Sequence, residues 1–209
     1  MYEIELKAHV YNRAELIPKL NADARYLGTA EKTDCYWRQN VSVPSGSKET
    51  TQTAGQAPAE NSLTVRIRTE CTETPAKEKT CRHFVTYKEK RRECKENPAL
   101  EVNNEKEFAM SDRAEFEQFL QKAGFEAVFE KHKKSMQWTK DCVLIELCTV
   151  KHLGDFLEME ILAETADKKH IKEARLKLEK LLKKYGIPLE QIEPMYYSEL
   201  LKAKRFFES

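Results

Sequence analysis

Pairs of acidic residues at alternate positions occur in three segments of the sequence that have the composition of β-strands. Near the N-terminus, Glu3 and Glu5 alternate with Ile4 and Leu6. Because side chains on a strand alternate between its two faces, such a segment has one ionisable face and one apolar face. A single half-exposed surface strand has the same pattern, but its repetition favours a shared site. The other two pairs are Glu105 with Glu107, and Glu158 with Glu160.

Basic residues follow the same spacing in further strand-like segments. Arg66, Arg68 and Lys88 alternate there with apolar neighbours, and Lys131 and Lys133 add two cations at the same spacing. If every apolar face packs against helices, all the charged faces point into one interior. Carboxylates crowded in a water-poor interior repel one another and take up protons unless positive charge lies among them. Mg²⁺ typically binds one or two carboxylates together with phosphate oxygens, and the remaining cations suit a polyanion. The residues therefore predict a metal-dependent triphosphate site.

The composition excludes several classes of protein. The chain has 209 residues, and 36 Lys and Arg balance 35 Asp and Glu to a formal charge of +1. Global charge therefore predicts no non-specific nucleic-acid binding. No apolar run approaches the roughly 20 residues that span a bilayer, and no signal peptide leads the chain, so we expect no membrane partner and a cytoplasmic location. The length suits one domain over residues 1–209, with a flexible loop at about 40–61 that is rich in small and polar residues.

The six cysteines have irregular spacing and include no CxxC pair. They are Cys35, Cys71, Cys81, Cys94, Cys142 and Cys148. This spacing favours neither a zinc site nor a thioredoxin-like motif, and we expect reduced thiols. The alternative is a bridge between Cys71 and Cys81 across one hairpin.

The periodicity predicts alternating strands and helices along the whole chain. Strands are expected at about 2–10, 33–39, 62–71, 81–90, 101–109, 126–139, 142–149 and 155–163. Helices are expected to begin near Asn12 and Asp112 and to extend over about 167–185 and 197–206.

The two parts of the chain resemble each other. The segment from Asn12 to Leu16 is echoed by the segment from Asp112 to Phe116, and each part reads strand, helix, strand and two more strands. Chance similarity of short motifs is the alternative to a true repeat. With about eight antiparallel strands and outward apolar faces, the predicted fold is α+β, a closed antiparallel β-barrel with helices packed on the outside.

The ordered set of these motifs resembles the CYTH domain of the triphosphate tunnel metalloenzymes. The resemblance begins with the ExExK of Glu3, Glu5 and Lys7 and ends with the segment from Tyr197 to Leu201. Between them lie, in order, Asp34 and Tyr36, Arg66 and Arg68, Thr86 and Lys88, Glu105 and Glu107, Lys131 and Lys133, and the segment from Leu153 to Glu160. The resemblance covers nearly the whole chain and implies an eight-stranded tunnel.

The resemblance also implies roles for individual residues. The metal-binding role, for Mg²⁺ or Mn²⁺, falls on Glu3, Glu5, Glu158 and Glu160, with Glu105 and Glu107 as further contributors. The triphosphate-binding role falls on Lys7, Arg66, Arg68, Lys88, Lys131 and Lys133, and the catalytic role falls on Glu5, Lys7 and Glu160. Lys133 replaces a usual arginine, Asn103 replaces a common arginine, and Cys148 replaces a common aspartate.

The family carries out two reactions with one set of residues. The ending of the chain and the spacing around Gly154 favour a class IV adenylyl cyclase that converts ATP to cyclic AMP and pyrophosphate. The alternative is a triphosphatase that acts on inorganic, thiamine or nucleoside triphosphate, and a further alternative is a non-catalytic triphosphate-binding module. The partner is then a small-molecule triphosphate, and by resemblance a homodimer is an expected arrangement. Four aromatic residues could either stack on a nucleotide base or pack in the core: Tyr36, Trp37, Tyr87 and Trp138.

Overall fold

A computed structural model describes residues 2–39, 64–89, 101–165 and 167–207. Within these ranges, it describes the backbone but not the side chains of residues 87–89, 101–106 and 205–207. The predicted flexible loop at about 40–61 lies outside the described residues.

Eight antiparallel strands form a closed barrel, as predicted. They are β1 (Tyr2–His9), β2 (Arg25–Gln39), β3 (Thr64–Glu73), β4 (Lys79–Glu89), β5 (Glu101–Met110), β6 (Phe125–Lys140), β7 (Val143–Val150) and β8 (Gly154–Ala163). Around the barrel their order is β1-β5-β4-β3-β2-β6-β7-β8, and β8 pairs with β1 to close the ring. The strand expected at 33–39 begins at Arg25, because β2 pairs with β6 along its whole length, from Arg25 to Gln39.

Four α-helices surround or close the barrel. They are α1 (Arg13–Asp23), α2 (Arg113–Lys122), α3 (Lys168–Lys184) and α4 (Tyr197–Phe207), with a 3₁₀ turn at Leu189–Gln191 before α4. The first two begin in the same way, since the side chains of Asn12 and Asp112 accept hydrogen bonds from the backbone N–H groups of Glu15 (3.3 Å) and Glu115 (3.1 Å). Such N-caps satisfy backbone donors that the first turn of a helix leaves unpaired.

The apolar cores lie outside the barrel wall, as the alternation predicts. One core packs β1, β7 and β8 against α1 and α3 and includes the fully buried Leu6, Leu20, Leu157 and Leu178. A second core beneath α2 contains residues of β2, β3 and β4. With apolar side chains on the outer face of each strand, the alternate side chains must point inward. The sheet therefore has a charged interior.

The element order confirms two similar halves. Each half reads strand, helix and three strands, from β1 to β4 and from β5 to β8. If each strand of the first half is exchanged with its counterpart in the second half (β1 with β5, β2 with β6, β3 with β7 and β4 with β8), every strand keeps the same pair of neighbours in the barrel. The barrel thus has an approximate two-fold symmetry between its halves.

The expectation of uniformly reduced thiols is wrong. Cys71 on β3 and Cys81 on β4 are directly opposite in the register, with their Cα atoms 4.1 Å apart, and form a disulfide. Among the described residues, Cys35, Cys142 and Cys148 are free. The described helices include none that is long and apolar enough to cross a membrane.

Candidate active site

The interior of the barrel contains most of the buried polar side chains of the described structure. Those from strands are Lys7, Asp34, Arg66, Thr86, Lys131, Lys133, Ser135, Glu146 and Glu158. Buried charges are stable only when paired or bound to ions. The interior charges must therefore pair with one another or with bound ions.

An acidic wall, defined here as Glu3, Glu5, Glu146, Glu158 and Glu160, follows β1, β8 and β7. Glu5 is directly opposite Glu160, and Glu158 is directly opposite both Lys7 and Glu146. Burial, followed by the charges of Glu3 and Glu146, raises the pKa of Glu160 from 4.5 to about 7. The register thus brings the predicted acidic residues of β1 and β8 side by side, and burial together with neighbouring carboxylates disfavours ionisation of Glu160.

Lys133 joins two members of the acidic wall. Its Nζ donates hydrogen bonds to Glu146 Oε2 at 2.6 Å and to Glu158 Oε2 at 2.5 Å. Burial opposes its charge, but these two carboxylates raise the pKa of Lys133 well above its usual value. The predicted phosphate-binding lysine is thus held as a cation against acidic partners, which a phosphate would have to replace.

Glu146 and Lys32 are interior residues that the sequence interpretation missed. Lys32 Nζ donates to Glu146 Oε1 at 3.1 Å and lies 3.5 Å from Glu70 Oε1. Although burial disfavours its charge, Lys133 and Lys32 hold the pKa of Glu146 well below its usual range. The only signal was weak, because Glu146 lies between Ile145 and Leu147 but no second acidic residue occurs at the alternate positions of this strand.

A basic wall, defined here as Arg66, Arg68 and Lys131, lies around the buried Asp34. Arg68 donates to both carboxylate oxygens of Asp34, at 2.7 and 3.0 Å, and Lys131 Nζ lies 2.9 Å from Oδ2. Burial opposes its ionisation, but Lys131 and Arg68 hold the pKa of Asp34 well below its usual value. Asp34 thus fixes two cations in place and neutralises only part of their charge.

Arg66 connects the basic wall to β4 and β5. One of its guanidinium nitrogens donates to Thr86 Oγ1 at 2.8 Å, and that hydroxyl donates to Glu107 Oε2 at 2.9 Å. Glu107 therefore lies beside a cation, 3.6 Å from a guanidinium nitrogen of Arg66. Two residues further along the same face, the backbones of Lys88 on β4 and Glu105 on β5 are directly opposite each other. The side chains of these two residues lie outside the described part of the structure.

Tyr197, the first residue of α4, closes the barrel interior at the end near the β7–β8 turn. Its ring lies 5.5 Å from the Nζ atoms of both Lys7 and Lys131 and contacts Phe156 edge-on. The Tyr197 hydroxyl lies 3.7 Å from Cys148 Sγ. Burial and the charge of Glu158 raise its pKa well above the usual value. Two predicted phosphate-binding lysines therefore border the closed end.

Cys148 lies in the interior beside the acidic wall. Its thiol donates to Glu158 Oε1 at 3.5 Å. Burial, and then the charge of Glu158, raise the pKa of Cys148 well above its usual value. The side chain is therefore a neutral donor at a position where a carboxylate would be an anionic ligand. Glu146, two residues earlier on the same face of β7, supplies a carboxylate nearby.

The acidic wall has the donor chemistry of a divalent-metal site, but its ligands are not preassembled. In the described part of the chain, no three acidic, histidine or cysteine side chains are grouped closely enough to hold a metal ion. Lys133 occupies one carboxylate oxygen of Glu158. Burial, and then the charges of Glu3 and Glu146, nevertheless raise the pKa of Glu160, and a hard cation with oxygen ligands would favour its ionised form.

The tryptophans face away from this interior. Trp37 and Trp138 are buried in the two outer cores, where Trp138 donates from its indole to Asn21 at 2.9 Å. Tyr36 lies on the inner face of β2 and stacks on Phe129 at a centroid distance of 4.2 Å. The tryptophans are therefore core residues.

A closed barrel with an acidic wall, a basic wall and an outer apolar layer defines a tunnel-type domain for charged ligands. The chain belongs to the CYTH domain family, whose model matches residues 1–197. No curated protein matches the sequence.

Several solved structures have the same fold. PH1819 from Pyrococcus horikoshii is 25% identical and matches 97% of this chain and 99% of its own, with a TM-score of 0.72. An adenylate cyclase candidate from Vibrio parahaemolyticus is 15% identical, with 97% and 98% covered and a TM-score of 0.68. The adenylyl cyclase candidate HpAC1 from Hippeastrum, described as having a dominant triphosphatase activity, is 14% identical, with 97% and 95% covered and a TM-score of 0.58.

Proposed function

We propose that this protein is a divalent-metal-dependent enzyme that acts on a triphosphate substrate inside the tunnel. The observation that carries the proposal is the separation of charge within one closed cavity, with carboxylates on β1, β7 and β8 and guanidinium groups on β3. A polyphosphate bound with a metal ion needs both kinds of wall, since the ion takes carboxylate oxygens and the phosphates take cations.

The acidic residues would hold the metal ion. Glu3, Glu5, Glu158 and Glu160 are the proposed ligands, with Glu105 and Glu107 as further contributors. When bound, Mg²⁺ or Mn²⁺ would supply the positive charge that lowers the pKa of an attacking hydroxyl or water. Deprotonated Glu160 is the form that binds a cation, so its pKa of about 7 makes metal binding sensitive to pH near neutrality.

The basic residues would bind and orient the phosphate chain. Arg68 and Lys131 share one carboxylate and are therefore fixed in position before the substrate arrives. Lys133 would exchange a carboxylate partner for phosphate oxygen, which frees Glu158 for the metal ion. Lys7, Arg66 and Lys88 would extend the contact to further phosphate oxygens. Charge of this kind stabilises the pyrophosphate or phosphate that departs.

For the reaction, we propose adenylyl cyclase activity first, with release of pyrophosphate from ATP. The support is the class IV-like sequence pattern and the fold shared with the candidate from Vibrio parahaemolyticus. In this reaction the ribose hydroxyl attacks the α-phosphorus, so the nucleoside must lie beside the acidic wall.

Triphosphate hydrolysis is the second candidate, and one observation favours it. Trp37 and Trp138 lie in the outer cores, so neither can stack on an adenine base in the tunnel. A reaction that needs only the triphosphate is compatible with an interior in which charged groups predominate.

One assay separates the candidates. The protein is incubated with ATP, inorganic triphosphate or thiamine triphosphate in the presence of Mg²⁺ or Mn²⁺, and cyclic AMP is resolved from released phosphate. Cyclic AMP without phosphate release supports the cyclase, and phosphate release alone supports the triphosphatase. Tight triphosphate binding without turnover identifies a binding module. Arg68→Gln should lower turnover of any substrate at least tenfold, and Glu173→Gln on the exposed face of α3 is the matched control. A mass measurement in solution tests the homodimer.

A further inference from the structure

A cavity of about 290 Å³ lies beside α4, between the first half of β6 and the β7–β8 turn. We call it the α4 cavity. Six of its lining residues are basic in type: Lys131, His132, Lys151, His152, Lys202 and Lys204. Glu130 is its one acidic lining residue among those described, and this carboxylate accepts a hydrogen bond from His132 Nε2 at 2.5 Å. The cavity is therefore strongly positive.

The chain neutralises little of this charge. Lys204 Nζ donates to the backbone carbonyl of His152 at 2.5 Å, and Lys202 Nζ lies 5.9 Å from the ring of Phe129. In the described part of the chain, no carboxylate forms an ion pair with Lys151, Lys202 or Lys204. Three lysines, from α4 and the turn, thus line the cavity, and none of them has an acidic partner among the described residues. Lysine-rich helix faces are ordinarily solvated, but here the lysines come from two separate elements and enclose a cavity.

The size of the cavity limits the ligand. A volume of about 290 Å³ corresponds to roughly ten water molecules at about 30 Å³ each and is at the low end for small-molecule sites. It is too small for a whole nucleotide and large enough for a short phosphate chain. Several converging ammonium groups suit multiply charged phosphate oxygens as point charges.

We propose that the α4 cavity is a second anion site that binds a short oligophosphate of diphosphate size. Lys131 lines both the cavity and the tunnel, and its Nζ lies 2.9 Å from Asp34 Oδ2 and 5.5 Å from the ring of Tyr197. Because Lys202 and Lys204 belong to the same helix as Tyr197, a bound anion fastens α4 to β6 and the turn. The inference does not depend on the reaction proposed for the tunnel.

The test is a calorimetric titration of the full chain with inorganic diphosphate, without metal and at low ionic strength. We compare the wild type with the cavity variant Lys151→Gln/Lys202→Gln/Lys204→Gln. The control Lys168→Gln/Lys169→Gln/Lys172→Gln removes the same charge from the exposed start of α3. Circular dichroism checks that each variant is folded.

We expect the cavity variant to lose one equivalent of bound diphosphate, or to bind it at least tenfold more weakly, while the control binds as the wild type does. In the wild type, diphosphate should also slow hydrogen exchange of the α4 amides, and this protection should be absent in the cavity variant. Equal weakening in both variants would mean diffuse attraction, and a cavity variant that keeps both the stoichiometry and the affinity of the wild type would mean that no second site exists. Either result overturns the proposal.

Discussion

Replacing Glu160 by glutamine should stabilise the fold and at the same time abolish metal-dependent turnover. The side chain lies on the acidic wall, directly opposite Glu5, and burial and the charge of Glu3 raise its pKa to about 7. A raised carboxylate pKa means that the folded protein resists ionisation of this group. The substitution removes that conflict together with a proposed metal ligand.

The magnitude follows from the shift in pKa from 4.5 to about 7. Each pKa unit corresponds to about 1.4 kcal/mol, and solvent screening of this partly buried group reduces the total to about 2 to 3 kcal/mol. Below pH 4.5 the group is protonated in both states and has no effect. As the pH rises to about 7, the unfolded state loses its proton first, so the free energy of unfolding of the wild type falls. Above that pH the penalty is constant.

Urea denaturation of the wild type and Glu160→Gln in metal-free buffer at pH 5 and pH 8 measures this effect. We expect the variant to be more stable than the wild type by about 2 kcal/mol at pH 8 and by much less at pH 5. Mg²⁺ should raise the melting temperature of the wild type more than that of the variant. Glu173→Gln on exposed α3 should match the wild type throughout. A variant that is less stable at pH 8, or equally shifted at both pH values, would refute the reasoning.

Three further variants test the supports of the tunnel by urea denaturation. Asp34→Asn should cost about 3 kcal/mol, because it leaves buried cations without their carboxylate, and a loss below 1 kcal/mol would contradict the paired geometry. Leu178→Ala should cost about 2 to 5 kcal/mol by opening a cavity beneath α3, whereas an unchanged midpoint would mean that α3 does not cover the barrel. Cys71→Ser/Cys81→Ser should cost up to about 3 kcal/mol, and a reductant should lower the stability of the wild type but not of this variant; an equal response would argue against the disulfide.

The fold was largely predictable because its strands alternate apolar and charged residues over several positions. The start of β2 was not, since residues from Arg25 to Lys32 lack that alternation and become a strand by pairing with β6. The sequence offered the disulfide only as the alternative to reduced thiols, because its formation depends on register. Cys71 and Cys81 are bridged because they are directly opposite each other in the β3–β4 ladder, and sequence spacing alone leaves several registers open.

The types of residue at the site were predictable, but their pairing was not. Lys133 was expected to bind phosphate, and its contacts with Glu146 and Glu158 come from strands that only the barrel brings together. Glu146 was missed because its strand reads as a nearly continuous apolar run, in which one carboxylate does not form a pair. The closure of one barrel end by Tyr197 was not predicted either. Tyr197 belongs to α4, which follows all eight strands in the sequence, and sequence periodicity does not show where such a helix packs.

The approximate symmetry of the barrel explains how one interior acquires two opposite walls. Suppose that Glu5 in the first half occupies the position equivalent to Glu107 in the second half. Glu5 pairs with Glu160 on β8, and Glu107 pairs with Thr86 on β4, so Glu160 and Thr86 are then equivalent positions. Continuing to the next strands, the register matches Leu144 with Arg66 and Glu146 with Arg68. The two halves thus share a backbone arrangement and differ in charge where β7 corresponds to β3. A symmetrical interior would place like charges across the tunnel, where they repel. Divergence at these few positions gives a cation and a polyanion separate walls within the same cavity.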